Sequence, residues 1–346
     1  MILSRNLTKL LKGIAIILMV AHHSFGFPQW YASGIAYPYL EPYADMIDRS
    51  ASFAVVPMFV FITGWTYYLH KEKTLAYSLK KITVFLLDFW LVLFAFSALA
   101  VYFCGYNLTA SGLLMEMFSI ESEVMCFSWF VFFYIEMMLF LPFLHKKVEN
   151  LTFKQTICRI MIFLAVVKLI AFGLELCGLK MSFWYTALNR RFFRYIPIAI
   201  SGYLCARYNV LDKLYERFVS YCPPKKYLAI LACVVLYQIV TSIGAINIGL
   251  FLCPIFISLL ATFNIDYGHL ASRVVMFLGK HSMNIWFLQC IFFSWTTREV
   301  FQKYAYWPVN PVLVVVWILA LCTCISIPLT NVQEKIDKFI SNMYFG

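Results

Sequence analysis

Two adjacent histidines, His22 and His23, lie within the apolar stretch 10–27, where lipid tolerates such side chains only inside a protein or in a wet cavity. A neutral imidazole can act as a general base or as a nucleophile. Lys12 precedes His23 by eleven residues. On an α-helix this spacing puts both side chains on one face, about 20° apart and roughly 16 Å along the axis. His22 points about 80° away from that face.

The spacing of Lys12 and His23 suits a long anionic substrate. The lysine at one end of the face can bind a charged head group, and the reactive tail then lies beside the imidazole. This geometry predicts that His23 does the chemistry. We expect His22 to pack against its neighbour or to orient it.

The composition identifies the class of protein that must position these groups. The chain has 346 residues, of which 62% are hydrophobic and 13% are charged, and its mean hydropathy is +0.78. A soluble protein is about 45–50% apolar and about 25% charged. We therefore expect an all-α protein that crosses the lipid bilayer many times. The excess of basic residues fits cytoplasmic loops rather than nucleic-acid binding, and the eleven scattered cysteines show no metal-ligand spacing, so we expect no metal.

Windowed hydrophobicity predicts a bundle of about ten transmembrane helices. The predicted spans are near 10–27, 51–69, 82–103, 128–144, 156–178, 193–207, 227–243, 246–263, 281–297 and 309–329. No soluble segment separates them, so we expect one transmembrane domain over residues 1–346 with no appended soluble domain. Twenty of the 28 lysines and arginines fall on one side if both termini are cytoplasmic.

One basic cluster breaks this pattern. Arg190, Arg191 and Arg194 fall on the predicted outer side, where the positive-inside bias disfavours them. Either the span count is wrong by one or these arginines serve a site, and we favour the site. Trp30 and Trp184 lie in predicted outer segments, where aromatic rings commonly mark the membrane interface.

Glu136 is a second intramembrane ionisable residue, because it lies in the middle of the predicted span 128–144. Such residues pair with a cation or belong to a functional site. Both interpretations remain open for Glu136, and it is a possible supporting residue for the histidines.

Four stretches in order resemble motifs of the acyltransferase-3 family of membrane proteins. In that family the first span carries an arginine, ten further residues and a histidine, and here Lys12 and His23 have that spacing. Val56–Trp65, Phe192–Leu204 and Leu278–Trp286 resemble the V-P-x-F-F-x-x-S-G, F-x-x-G-Y and L-G-x-x-S-x-x-I motifs of later spans. The resemblance covers nearly the whole chain.

The resemblance implies an O-acetyltransferase of the bacterial inner membrane. Members move an acyl group, most often acetyl from cytoplasmic acetyl-CoA, to a hydroxyl of an extracytoplasmic or lipid-linked carbohydrate. Lys12, Lys80 and Lys81 would then bind the CoA phosphates. His23 would act as a general base or would carry the acyl group. Arg190, Arg191, Arg194, Trp30 and Trp184 are the candidates for binding the acceptor.

The chain departs from the family pattern at several positions. Lys12 replaces the arginine, and these cations differ at a bidentate phosphate site. The basic cluster of the third span is reduced to Lys80 and Lys81, with Val84 at a position that is often arginine. Gln289 stands where many members have histidine.

Two other functions remain as alternatives. A transporter or flippase of a lipid-linked saccharide would use buried charges as a permeation route, and it predicts repeat-related halves with broken helices. The sequence shows no such symmetry. A haem anchor needs histidines that face one another across a bundle, whereas the two intramembrane histidines are adjacent.

Overall fold

Helices make up 78% of the computed structural model, and no strand occurs in the part of the chain that it describes. The described residues are 2–47, 55–180, 182–221, 249–263 and 265–345, together with 228, 231, 232, 235 and 236. The predicted all-α class is confirmed.

Thirteen helices are numbered here in chain order. The first half contains α1 (Arg5–Phe25), α2 (Val56–Leu69), α3 (Leu75–Cys104), α4 (Ala110–Met117), α5 (Trp129–Val148) and α6 (Phe153–Leu176). The second half contains α7 (Phe193–Arg207), α8 (Val210–Tyr221), α9 (Gly249–Ala261), α10 (Leu270–Lys280), α11 (Ser282–Phe293), α12 (Arg298–Ala305) and α13 (Pro311–Phe345). A helical turn, Phe183–Tyr185, and a π-helical segment, Thr186–Phe192, lead into α7.

Five of these helices are long and apolar enough to cross a membrane, so the chain is a multi-pass membrane protein. They are α1, α3, α5, α6 and the Pro311–Ile340 stretch of α13. Shorter apolar helices cover Val56–Leu69, Leu252–Ala261 and Ser282–Phe293. Nine of the ten predicted spans overlap a helix, and the seventh, 227–243, lies almost entirely outside the described residues.

Helix α1 is positioned by local signals at both ends. The Ser4 hydroxyl accepts a hydrogen bond from the Leu7 N–H at 3.2 Å, which caps the first turn. The Gly26 N–H donates to the His22 carbonyl at 2.8 Å and closes the last turn. Lys12 and both histidines therefore belong to one uninterrupted helix.

Two glycines allow α1 to pack closely against α10. A Cβ atom added at Gly13 would lie 1.9 Å from the Val275 carbonyl oxygen, and one at Gly279 would lie 1.9 Å from the Lys9 carbonyl oxygen. Small residues of this kind let helix backbones approach each other in membranes. Gly279 belongs to the Leu278–Trp286 motif, so at least part of that motif serves helix packing.

The same device joins α2 and α7. A Cβ atom at Gly64 would lie 1.9 Å from the Ala199 carbonyl oxygen, and one at Gly202 would lie 2.1 Å from the Phe61 carbonyl oxygen. Both glycines belong to the motifs that carry the family resemblance. Each motif therefore supplies one side of the same helix crossing.

A buried polar network fixes the junction between α10 and α11 to α13. The Nδ1 atom of His281 lies 2.9 Å from the Ser326 hydroxyl and 3.3 Å from the Thr330 hydroxyl. The Asn284 and Gln333 amides form two reciprocal hydrogen bonds of 2.7 and 2.9 Å. Such a network specifies one arrangement of helices, because each unpaired polar group in the bundle would be costly.

Candidate active site

One cavity of about 850 Å³ runs between α1, α2, α3, α5 and α11. Lys12 and Lys81 line one end of it, and Phe27, Trp30 and Trp295 line the other. His22 and His23 line the wall that α1 forms between these ends. The cavity thus brings cations, imidazoles and aromatic rings into one continuous space.

The cationic end combines a lysine from α1 with a lysine from α3. Within the described part of the chain, no carboxylate forms an ion pair with Lys12. The ammonium group of Lys81 lies 5.8 Å from the ring centroid of Tyr77, which also lines the cavity. Lys80 is half-buried and is not among the lining residues. Successive residues on a helix point about 100° apart, which separates the two lysines.

His23 is buried and has an aromatic stacking partner. Only 7% of its surface is exposed. Its ring stacks on Phe127 with centroids 3.6 Å apart and an angle of 3° between the planes. Its Nδ1 atom has no hydrogen-bond partner. The amide of Gln289 interacts with the His23 ring, although neither amide atom of Gln289 has hydrogen-bonding geometry to any group.

His22 also lines the cavity, which differs from the expectation that it faces away. Its ring centroid lies 5.0 Å from that of His23 and 5.0 Å from that of Phe27. Lys12, His23 and His22 together span about 100° of the helix circumference. The apolar or functional stripe of a helix is about 100° wide or more, so one cavity contacts all three side chains. Both imidazoles are therefore available to a molecule in the cavity.

Phe127 is held in an unfavourable backbone conformation. Its φ angle is 63°, a left-handed value that is unusual for a bulky residue. Residues with such backbone conformations persist only where the surrounding structure fixes them, and they often mark functional sites. The loop that carries Phe127 must therefore be anchored firmly.

The anchor is the buried carboxylate of Glu116, which is 2% exposed. Its oxygens accept hydrogen bonds from the N–H groups of Glu123, Val124 (2.9 Å) and Met125 (3.4 Å). Burial raises the pKa of Glu116 above its ordinary value, and the three backbone donors partly offset that rise. The carboxylate thus fixes the backbone of residues 123–125 of the loop, just before Phe127.

Two thiols tie the same loop to α11. The Cys290 thiol donates to the Cys126 carbonyl at 2.8 Å, and the Cys126 thiol donates to the Cys290 carbonyl at 3.7 Å. Cys126 lines the cavity next to Phe127, and Cys290 follows Gln289. The two cysteines therefore help to position their sequence neighbours, Phe127 and Gln289, around His23.

Of the two predicted outer arginines whose side chains are described, Arg191 lines the cavity and Arg194 does not. Arg191 lies in the π-helical segment, whose wider turns alter the direction of each side chain. The side chains of Arg191 and Glu136 attract each other electrostatically. No hydrogen bond reaches the Nη1 atom of Arg191 or the Oε2 atom of Glu136. Glu136 itself is not among the residues that line the cavity.

The other predicted acceptor residues have different positions. Trp30 lines the cavity and stacks on Phe27, with centroids 4.3 Å apart. Arg194 is exposed, with its guanidinium 5.6 Å from the ring centroid of Tyr195, and it does not line the cavity. Trp184 is 65% exposed and is also absent from the lining. The side chain of Arg190 lies outside the described residues.

Several residues at the site carried no signal in the sequence. Phe127 and Trp295 are two aromatic residues among 65 in a chain that is 19% aromatic, so type alone could not select them. Glu116 lies in a predicted outer loop with two other glutamates, and only the folded loop distinguishes it. The absence of any lysine or arginine between 104 and 127 was the single hint that a glutamate there has a backbone partner.

No group of three or more histidine, cysteine, aspartate or glutamate side chains that could hold a metal occurs among the described residues. The chemistry available from the side chains at hand is proton transfer and nucleophilic attack by imidazole. The lysines and Arg191 supply binding sites for anions.

Comparison with known proteins identifies the family. The model of the family Acyl_transf_3, described as an acyltransferase domain, matches residues 9–331. The comparisons with curated proteins and with solved structures found no match. The matched residues include Lys12, Lys81 and both histidines, and they overlap every helix that forms the cavity wall. The chain therefore belongs to the acyltransferase-3 family and is a membrane acyltransferase.

Proposed function

We propose that the protein transfers an acetyl group from cytoplasmic acetyl-CoA to a hydroxyl of an extracytoplasmic or lipid-linked carbohydrate. One observation carries the proposal, namely the continuous cavity with Lys12 and Lys81 at one end and Trp30 at the other. His23 lies on the wall between them. A donor and an acceptor that enter from opposite ends would meet at the imidazole.

The cationic end suits the phosphates of CoA. Lys12 has no paired carboxylate among the described residues, so its charge is available to a ligand. Lys81 adds a second charge at the same end, and Lys80 raises the local positive potential from beside it. The pantetheine arm is long enough to span the distance from Lys12 to His23, which is roughly 16 Å along α1.

His23 can perform the transfer by either of two routes. As a general base it accepts the proton of the acceptor hydroxyl, whose oxygen attacks the thioester carbonyl. The carbon–sulfur bond breaks, and the proton passes to the departing CoA thiolate. As a nucleophile the imidazole first takes the acetyl group and releases CoA, and the hydroxyl then removes the acetyl group. Both routes give one acetyl ester and one CoA thiol.

We assign the acceptor end to Trp30 and Arg191, which line the cavity, with Glu136 attracting the guanidinium of Arg191 electrostatically. Arg194 and Trp184 are candidates outside the cavity, because neither lines it. Arg190 is a candidate from the sequence alone, since its side chain lies outside the described residues. We further propose ten spans in a single domain with both termini in the cytoplasm of a bacterial cell. That topology would put Lys12 at the cytoplasmic face and Trp30 at the outer face.

Deletion and complementation test this function. A strain that lacks the gene should lose ester-linked acetate from its surface glycans, as measured by mass spectrometry before and after mild alkali. The wild-type gene should restore the acetate, whereas the His23→Gln variant should insert normally and restore none. Glycans that keep all their ester-linked acetate in the deletion strain would contradict the proposal.

A saccharide transporter or flippase is the second candidate, because a cavity between two faces also suits transport. The two functions differ in whether the thioester bond breaks. Purified protein in nanodiscs, supplied with acetyl-CoA and host membrane extract, should release free CoA in proportion to acetyl ester. Saccharide movement across vesicles without CoA release would instead indicate a transporter.

A further inference from the structure

The aromatic end of the cavity contains a second tryptophan, which has no role in the proposed function. Trp295 lines this end and is 54% exposed. Its ring lies 5.9 Å from that of Trp30 in an edge-to-face arrangement. Aromatic rings present large rigid apolar surfaces, against which the C–H face of a sugar ring can pack.

The guanidinium of Arg298 lies against the ring of Trp295, although Arg298 is not itself among the residues that line the cavity. Its central carbon is 4.0 Å from the centroid of the Trp295 ring, and its side chain is only 17% exposed. The Nε and Nη1 atoms are buried and have no hydrogen-bond partner. Buried donors in folded proteins nearly always have a partner, and Arg keeps its charge under all ordinary conditions.

The nearest acid leaves this charge only partly compensated. Glu299 lies 3.6 Å from the Nε atom of Arg298, beyond hydrogen-bonding distance, and its own side chain is 54% exposed. One oxygen of Glu299 also accepts the N–H of Ser33 at 3.2 Å. An anionic acceptor from a bound molecule would satisfy the free donors of Arg298.

Helix α12 joins Arg298 and Trp30 into one framework. The side-chain oxygen of Gln302 accepts the N–H of Ala32 at 2.5 Å, and its nitrogen donates to the Trp30 carbonyl at 3.3 Å. Gln302 lies one helical turn beyond Arg298 on the same helix. The aromatic platform and the cation therefore have a fixed spacing.

We propose that Trp30, Trp295 and Arg298 form a binding subsite for an anionic saccharide, meaning a sugar that bears a carboxylate or a phosphate. The rings pack against the sugar, and Arg298 binds the anionic group. The inference rests on the proposed function for the presence of a carbohydrate acceptor, and it adds the charge of that acceptor. Lys12 and Lys81 lie at the opposite end of the cavity, so the donor's phosphates do not compete for Arg298.

Binding measurements on the full chain in nanodiscs test the subsite. The probes are a glucose tetrasaccharide, a tetrasaccharide of equal length that alternates glucose and glucuronate, and glucose 1-phosphate. The wild-type protein should bind at least one anionic probe about tenfold or more tightly than the neutral one, because a charged hydrogen bond is strong. The preferred anionic probe distinguishes a carboxylate source from a phosphate source.

Arg298→Gln should remove the preference for the anionic probe and leave the neutral affinity within about twofold. Lys303→Gln is the matched control, because Lys303 is a cation on the same helix, 5.2 Å from the ring centroid of Tyr304. It should keep the preference. Arg298→Lys retains the charge without the planar guanidinium, so it should keep part of the preference for the anionic probe. This variant also shows whether a loss in Arg298→Gln reflects a folding defect.

Three outcomes would overturn the subsite. These are equal affinity for neutral and anionic probes, equal loss in the Arg298 and Lys303 variants, and no saccharide binding at all. Thermal stabilisation by CoA is measured in parallel. If CoA stabilises the protein while the anionic preference is missing, the subsite is wrong and the donor site stands. If CoA gives no stabilisation, the proposed function is contradicted, whatever the result for the Arg298 variants.

Discussion

At the scale of single residues, the stack of His23 on Phe127 determines how the imidazole can react. The stack covers one face of the ring at a centroid distance of 3.6 Å. The lone pair of an imidazole nitrogen lies in the ring plane, so the stack holds the ring without blocking its reactive edge. The Nδ1 atom has no hydrogen-bond partner, which is compatible with a role in proton or acyl transfer.

Replacement of His23 by Gln should lower acyl transfer by about 10²–10⁴-fold, because general acid–base catalysis contributes a factor of that size. His22→Gln should have a smaller effect, since we expect it to lose a neighbouring contact rather than the reacting group. A transfer assay on purified variants, with insertion checked separately, measures both. An inactive His22 variant together with an active His23 variant would contradict the assignment.

Replacement of Lys12 by Ala should raise KM for the acyl donor about tenfold or more, with a smaller change in kcat. In the proposed complex the lysine would contact the donor phosphates in the ground state and the transition state alike, so its loss should affect binding more than chemistry. Lys12→Arg should be tolerated, because the family has arginine at this position. Steady-state kinetics at several salt concentrations measures the effect, and a KM that stays constant in Lys12→Ala would refute it.

At the scale of elements, the loop after α4 positions the stacking partner of His23. Glu116 accepts three backbone N–H groups in that loop. Each buried donor left without a partner costs about 1–3 kcal/mol. Loss of this carboxylate should therefore destabilise the loop, because it would leave these backbone donors without their partner.

Glu116→Leu should lower kcat by at least about tenfold while KM for the donor stays within about twofold, because the loop releases Phe127 and the donor end is unchanged. Glu121→Leu is the matched control, since Glu121 is exposed in the same loop. Steady-state kinetics on both variants measures the difference. Equal losses in the two variants would show that Glu116 has no specific role in positioning.

The packing of α1 against α10 gives a stability prediction. Gly279→Ala should destabilise the protein by about 1–3 kcal/mol, the usual cost of overpacking, because the new Cβ atom meets the Lys9 carbonyl oxygen at 1.9 Å. Gly173→Ala in α6 is the control, since its Cβ atom meets nothing within 4 Å. Thermal unfolding in one detergent compares the two variants. A Gly279 variant as stable as the control would refute the close contact.

At the scale of the whole molecule, the proposed topology has a direct test in the native cysteines. Cys177 is exposed and follows α6 at its predicted outer end. A maleimide that cannot cross the inner membrane is applied to cells whose outer membrane has been permeabilised. It should label Cys177, and Cys177→Ser should remove that label. Lys154→Cys, at the opposite end of α6, should add label only after lysis. Labelling of position 154 alone in intact cells would reverse the orientation.

The sequence by itself determined the class of the protein and the geometry of its first helix. A mean hydropathy of +0.78 with 13% charged residues leaves a multi-pass membrane protein as the only consistent class. In lipid each spanning helix satisfies its own backbone hydrogen bonds, so its periodicity follows from local sequence. For this reason the spacing of Lys12 and His23 was sufficient to predict one shared face.

Only the tertiary structure decided what surrounds that face. Phe127, Arg191, Trp295 and Arg298 come from segments more than 100 residues away from His23 in the chain. Their positions depend on long-range contacts, such as the bonds of Gln302 to the backbone of Trp30 and Ala32, which have no local periodicity. A long-range contact depends on how the helices pack, and helix packing is a property of the whole bundle rather than of any one stretch of sequence.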